Sequence, residues 1–318
     1  MPLTALVADL GGTNTRVALT KGAHVRTDTI KRFRNADHPD LPAVLRAYMA
    51  DQPVTPDAAC VAMAGPVRDG VGALTNLSWT VSRDDIAAVT GAHTVAVLND
   101  LQAQGHALGH LTPDTVHTIR AGHPASDHAA RLVIGIGTGM NAAAVYRLDE
   151  RTLVPPSEAG HVSLPVQDDT ELRLLNWITA TYGPPGLEDV LSGRGFERVY
   201  AWLCHEDGAD SLLNAGQIMA AVNTGTDPRA EAAARLFVRI LGRATGNLAL
   251  VHLPFGGIYL CGGVARHFSR HLKRLEFEAA FLDKGRFAEF LTQFPVHVIE
   301  DDFAALSGSA AHLTELIG

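Results

Sequence analysis

The stretch Thr94 to Gly105 reads TVAVLNDLQAQG, an apolar run that ends in an amide and a carboxylate, Asn99 and Asp100. Val95 to Leu98 has the length and composition of a buried strand, and the residues after it read as a helix. Asn and Asp at such a junction can cap the helix. They can equally stand in a ligand site, because ligands in open α/β sheets bind outside the carboxyl ends of strands. A second polar pair, Glu158 and His161, has the Glu-x-x-His spacing of metal-binding helices. Pro155 and Pro156 precede it and Gly160 interrupts it, so a helix is not expected there. A surface loop, or a polar site in which Glu accepts and His donates or accepts hydrogen bonds, remains.

Three glycine turns each follow an apolar run: Gly11-Gly12-Thr13, Gly137-Thr138-Gly139 and Gly262-Gly263. Glycine lets backbone N–H groups approach an anion, and such nests bind phosphate. A nucleotide P-loop is excluded, since the chain has no Gly-Lys pair. A dinucleotide fingerprint fails because Met140 stands where its last glycine belongs, and Ala142 to Tyr146 reads as strand. No Gly-x-Ser-x-Gly elbow is present.

These groups need a scaffold. Leu6 to Leu10 and Arg16 to Leu19 predict a hairpin around the first glycine turn, and Leu132 to Tyr146 predicts a second around the next. The likeness reads as a weak internal repeat. Ser82 is placed to cap a short helix, with Asp85 at the capping-box position. Asp169 to Tyr182 predicts a helix that buries Leu172, Leu175, Ile178 and Tyr182. Asp227-Pro228 predicts the start of a longer one that buries Leu236, Ile240, Ala244, Leu248 and Val251. Strands at Ile258 to Cys261 and Pro295 to Ile299, and a last helix from about Ala304, complete an α/β alternation.

The length, 318 residues, suggests two domains, and 47% hydrophobic against 19% charged residues permits a large core. A net charge of -8 argues against nucleic-acid and anionic-membrane partners. Any phosphate site must therefore be built locally, from backbone N–H groups and a few cations. Cys60, Cys204 and Cys261 are scattered, so neither a zinc site nor a disulfide framework is expected. Neither a signal peptide nor a membrane span is read, and a cytoplasmic protein is the expectation.

LVADLGGTNTR, LTNLSWTVS, LNDLQAQ, GTGMNAA, EAGHVSLP, LEDVLSG and GGIYLCGGV follow one another along the chain. In this order they resemble the bacterial-type glucokinases, the hexokinase branch of the actin/Hsp70/sugar-kinase superfamily. The resemblance implies a two-domain α/β fold of the actin-like ATPase (ribonuclease H-like) type with a deep interdomain cleft. Residues 1–109 with 303–318 would form the small domain and 110–302 the large one. It implies ATP-dependent phosphorylation of the glucose 6-hydroxyl. Asp100 would be the general base, and Asn76, Asn99, Glu158, His161 and Glu188 would complete the sugar site. Asp9, Gly11, Gly12, Thr13 and Asn14 would form the first phosphate loop, with Asp9 holding Mg²⁺ through water. Gly137, Thr138 and Gly139 would form the second, and Gly262 and Gly263 would lie against the adenosine. Asn141 and the segment ending at Ala310 depart from a more glycine-rich family pattern. The resemblance also suggests a homodimer. The residues leave two other readings open: a kinase of the same fold for another hexose or donor, and a catalytically silent sugar sensor.

Overall fold

The apolar runs that lead into the three glycine turns are strands: Thr4–Leu10, Arg131–Ile136 and Ile258–Cys261. They belong to a computed structural model that describes residues 3–74, 77–210 and 213–318. Contacts divide the chain into two units. One comprises Met1–Thr112, Val145–Pro156 and Asp301–Gly318, and the other Pro113–Ala144 and Ser157–Glu300.

The first unit is built on a sheet whose strands run His24–Val25, Asn14–Lys21, Thr4–Leu10, Ala58–Met63, Thr94–Asn99, with Lys31–Arg34 also on Asn14–Lys21. Thr4–Leu10 is antiparallel to Asn14–Lys21 and parallel to Ala58–Met63, which is parallel in turn to Thr94–Asn99. Every residue of Ala58–Met63 is buried, as suits a parallel strand covered on both faces. The strand period of two divides the side chains. Leu6, Ala8 and Leu10 pack with the helix Leu41–Met49, whereas Ala5 and Val7 pack with Ala305, Leu306 and Ala310 of the last helix, Ala304–Ile317.

The second unit repeats that plan. Its sheet runs Val116–Arg120, Val296–Ile299, Ile258–Cys261, Arg131–Ile136, Met140–Leu148. Arg131–Ile136 is parallel to Ile258–Cys261, and that strand is parallel to Val296–Ile299. Each sheet thus has a hairpin strand followed by two parallel strands in the same order, so the internal repeat read from the hairpins is present in the topology. The strand Met140–Leu148 continues past Ala144, and its far end pairs with Arg151–Leu153 within the first unit.

The caps follow the sequence closely. Ser82 accepts from the Asp85 backbone N–H at 3.1 Å, and Asp227 accepts from that of Arg229 at 2.8 Å. Two helix faces differ from expectation. In Asp169–Tyr182 the buried residues are Glu171, Leu174 and Ile178, while Leu172 and Tyr182 are exposed. The face is turned because Glu171 is paired with Arg243, lies 3.6 Å from Arg239 and accepts from the Gln167 N–H at 2.9 Å. A buried carboxylate held by this many partners sets the rotation that apolar spacing alone misses. In Pro228–His252, Val251 is 72% exposed because Ala249 and Leu250 take the core-facing side of the last turn. All three cysteines are free and buried, and burial pushes the Cys60 thiol up to about 12, so it stays protonated.

His106, on the helix Asp100–Ala107, is buried with its Nδ1 unpartnered, its ring centroid 4.5 Å from that of His312 on the last helix. Burial, with the neighbouring His312 adding to it, pushes its imidazole down to about 3. Between that value and the ordinary one near 6.5 the unfolded chain binds a proton that the folded chain does not. Stability is therefore full above pH 6.5 and drains as pH falls. Urea denaturation at pH 7 and pH 4.5 should show His106→Leu losing about 2 kcal/mol less than the wild type. Parallel losses in the two proteins would refute this role.

Candidate active site

The register of the first sheet places two of the expected groups along one edge. Leu10 and Asn99 are both partners of Met63, from opposite sides. Their strands are two spacings apart, so the ends that carry Asp9 and Asn99-Asp100 stand about 10 Å from each other at the carboxyl edge. Asn99 caps the helix Asp100–Ala107. Its Oδ1 accepts from the Leu101 N–H at 2.9 Å, and its own N–H donates to Gln102 Oε1 at 3.0 Å. Its amide nitrogen also donates to the Gly65 carbonyl at 2.9 Å. The cap reading of Asn99 is therefore correct, and it fixes where Asp100 begins the helix. Asp100 is half-buried, and its Oδ1 accepts from the Leu101 N–H at 2.8 Å.

Asp9 faces Arg16 across the hairpin, at 3.4 Å. Burial raises its carboxyl above the usual carboxylate range, and the Arg16 guanidinium opposes that shift. The turn Gly11 to Asn14 closes with the Gly11 N–H donating to the Asn14 carbonyl at 3.0 Å. Asn35 holds this turn from outside. Its side chain donates to the Gly11 carbonyl at 2.8 Å, its N–H donates to the Thr13 carbonyl at 2.9 Å, and it accepts from the Thr15 hydroxyl at 2.8 Å. Asn35 was not singled out from the sequence, because nothing in its spacing ties it to residues more than twenty positions earlier.

The second unit gathers the remaining described groups except those of the first sheet. The turn Gly137 to Gly139 lies between its hairpin strands, and the Gly193 N–H donates to the Gly137 carbonyl at 2.9 Å. Gly262 has φ 95°, and a Cβ there would stand 2.5 Å from the Ile136 carbonyl oxygen, so the second and third glycine turns abut through backbone. Glu188 sits in a short turn, Leu187–Asp189, rather than at the head of a long helix. One of its oxygens accepts from the Met140 N–H at 3.0 Å, and the other lies 3.4 Å from Arg194.

Glu158 and His161 are exposed and bracket a single turn, Ala159–His161, with no longer helix, as the prolines and Gly160 require. Gly160 rests directly on the hairpin: a Cβ there would be 1.9 Å from the Met140 carbonyl oxygen and 3.5 Å from the Glu188 Cβ. The Leu187 N–H donates to the Val162 carbonyl at 3.0 Å, which ties the two turns together. Glu158, His161, Glu188 and the second glycine turn thus form one cluster. Arg194 and Asn141 belong to it and were not assigned a role from the sequence. Asn76 lies outside the described residues. Among the described residues no group of three or more His, Cys, Asp or Glu could by itself hold a metal ion. None of the helices is long and apolar enough to cross a membrane among those residues.

A duplicated α/β sheet with a glycine turn in each hairpin fits the actin-like ATPase fold, and solved structures that the chain superposes on are sugar kinases. The glucokinase family model matches residues 6–316. A glucokinase of Erwinia tasmaniensis is 34% identical over 317 residues, covering 99% of this chain and 98% of that protein. The crystal structure of a glucokinase from an Antarctic psychrotroph superposes with a TM-score of 0.84 at 32% identity, covering 97% of this chain and 98% of the other. That of a Balamuthia mandrillaris glucokinase in complex with glucose shares the fold, with a TM-score of 0.83 at 22% identity over 98% and 94% of the two chains. The chain belongs to the glucokinase family, and ATP-dependent phosphorylation of glucose is the activity that this membership supports.

The contact between Gly160 and Met140 leaves no room for a methyl group. Gly160→Ala should cost about 2 kcal/mol of stability, read as a lowered denaturation midpoint. An unchanged midpoint would mean that the turn is not seated on the hairpin in solution.

Proposed function

We propose that the protein transfers the γ-phosphoryl group of ATP to the 6-hydroxyl of glucose, with Asp100 accepting the hydroxyl proton as the oxygen attacks phosphorus and ADP leaves. The observation that carries the reading is Asp100 at the carboxyl edge of a parallel sheet, held in place by the Asn99 cap, with Asn99 in register with Leu10, the residue after Asp9. Phosphoryl transfer asks a protein mainly for positioning and charge neutralisation, and a rigid carboxylate meets the remaining need for a proton acceptor.

Glucose offers many hydroxyls and no charge, so its site should be dense in groups that make paired hydrogen bonds. Asn99 keeps one amide hydrogen for a sugar hydroxyl after donating the other to Gly65. Glu158, His161 and Glu188 are assigned to further hydroxyls, and Asn76 to the same task. The turns Gly11, Gly12, Thr13 and Asn14, and Gly137, Thr138 and Gly139, are assigned to the phosphates, with the N–H groups of Gly11 and Gly137 closing their own turns. Gly262 and Gly263 are assigned to the adenosine.

Magnesium fits this donor set. The ion is characteristically held by one or two carboxylates together with substrate phosphates rather than by an all-protein cage, and Asp9 supplies one carboxylate beside a phosphate turn. When bound it would neutralise charge on the phosphates. Asp9 would hold it through water, while Arg16 keeps the Asp9 carboxylate oriented. The acidic balance of the chain supports a small-molecule substrate and argues against nucleic acid as a partner. A cytoplasmic location and a homodimer complete the proposal.

Asp100→Asn keeps the side-chain oxygen that accepts from Leu101, and hence the local fold, but cannot take the proton. Its kcat should fall by about 100-fold or more, with glucose affinity changed by no more than a few fold. Steady-state kinetics with a parallel glucose titration checks this. Turnover near the wild-type rate would remove Asp100 from the role of base.

A further inference from the structure

We propose that Asn141 is a positioning residue for Glu158, setting where that carboxylate stands by gripping the backbone on both of its sides. Asn141 lies two residues past the second glycine turn, on the strand Met140–Leu148, and is half-buried. Its amide nitrogen donates to the Ser157 carbonyl at 2.5 Å. Its amide oxygen accepts from the Ala159 N–H at 2.9 Å and from the N–H of its own neighbour Ala142 at 2.8 Å. Ser157 and Ala159 are the residues on either side of Glu158.

The short turn Ala159–His161 begins at Glu158, whose side chain makes no cap to it. A turn of this kind leaves its first N–H groups in need of an acceptor. Asn141 supplies the acceptor for Ala159 from a strand far away in sequence. The Glu158 side chain is thereby left exposed and available, while the peptides before and after it are both fixed. Glu158 has φ -125° and ψ 51°, neither helical nor extended, so no regular ladder holds it. A complete amide is needed for this grip, because one end must donate and the other accept. The same strand start carries Met140, whose N–H meets Glu188 and whose carbonyl meets Gly160. Asn141 thus links Glu158 to the scaffold that also carries Glu188.

The inference rests on the sugar role proposed for Glu158. Its test is a double-mutant cycle on the full chain, with glucose, or the hexose that the wild type phosphorylates best. Asn141→Ala should raise the KM for the sugar about tenfold through the loss of two backbone anchors, leaving kcat and the KM for ATP within about twofold. Glu158→Ala should raise the same KM, and adding Asn141→Ala to it should raise it no further. A role confined to folding would lower the denaturation midpoint and leave the sugar KM alone, and that result overturns the inference. So do KM effects that multiply in the double variant. Should Asn141→Ala not fold, Asn141→Asp replaces it: it keeps both acceptor bonds, loses only the donor to Ser157, and should raise the sugar KM severalfold. An unchanged sugar KM in Asn141→Asp overturns the inference. A Glu158→Ala variant with the wild-type KM overturns the sugar role of Glu158, and the inference with it, whatever Asn141 does.

Discussion

Met63 is in register with Leu10 on one side and Asn99 on the other, and that register governs the carboxyl edge of the first unit's sheet. A shift of one residue on either side would move Asp9 or Asp100 along the edge and turn alternate side chains to the opposite face. The register is enforced by burial. Leu6, Ala8 and Leu10 on one face, and Ala5 and Val7 on the other, leave no solvent-facing side to slip into. Two polar devices then finish what the apolar packing begins. Asn99 ends its strand and starts a helix in one step, and Asn35 pins the Gly11 to Asn14 turn through two hydrogen bonds, with a third from Thr15 just beyond it.

The second unit positions its groups differently. Its polar cluster stands on loops and short turns, which hold less firmly than sheet. Rigidity comes from backbone pressed on backbone, Gly160 on Met140 and Gly262 on Ile136, and from side chains that reach across to orphan N–H groups. Glu188 serves Met140 in this way, and Asn141 serves Ala159. Both are polar side chains spent on holding a neighbouring strand or loop in place. The net negative charge of the chain makes such local construction necessary, since no basic surplus is available to gather phosphate or order acidic loops.

Much of this was legible in the sequence, because it rests on local signals. Apolar runs before glycine turns gave the strands, Ser82 and Asp227 marked helix starts, and Pro155, Pro156 and Gly160 ruled out a helix at Glu158. The repeat of the two hairpins foreshadowed the repeat of the two sheets. What escaped depends on partners distant in the chain. Leu172 looked like core, yet Glu171 took the inner face because Arg243 and Arg239 wait there on another helix. Asn35 and Asn141 look like ordinary polar residues until the carbonyls and N–H groups they meet are in view. The motifs themselves carried the assignment of roles to Asp9, Asp100, Glu158, His161 and Glu188, which spacing alone leaves among several chemistries.

The central claim is a sugar-dependent transfer of phosphate from ATP, and ADP release tests it most directly. The purified protein with Mg-ATP would be assayed alone and with glucose, mannose, fructose, galactose or N-acetylglucosamine. The account predicts strong release with glucose, little with the others and almost none without sugar. Release with another hexose in preference would keep the kinase and contradict the substrate. No release with any sugar, in a protein that still binds glucose, would contradict the account and favour a silent sensor.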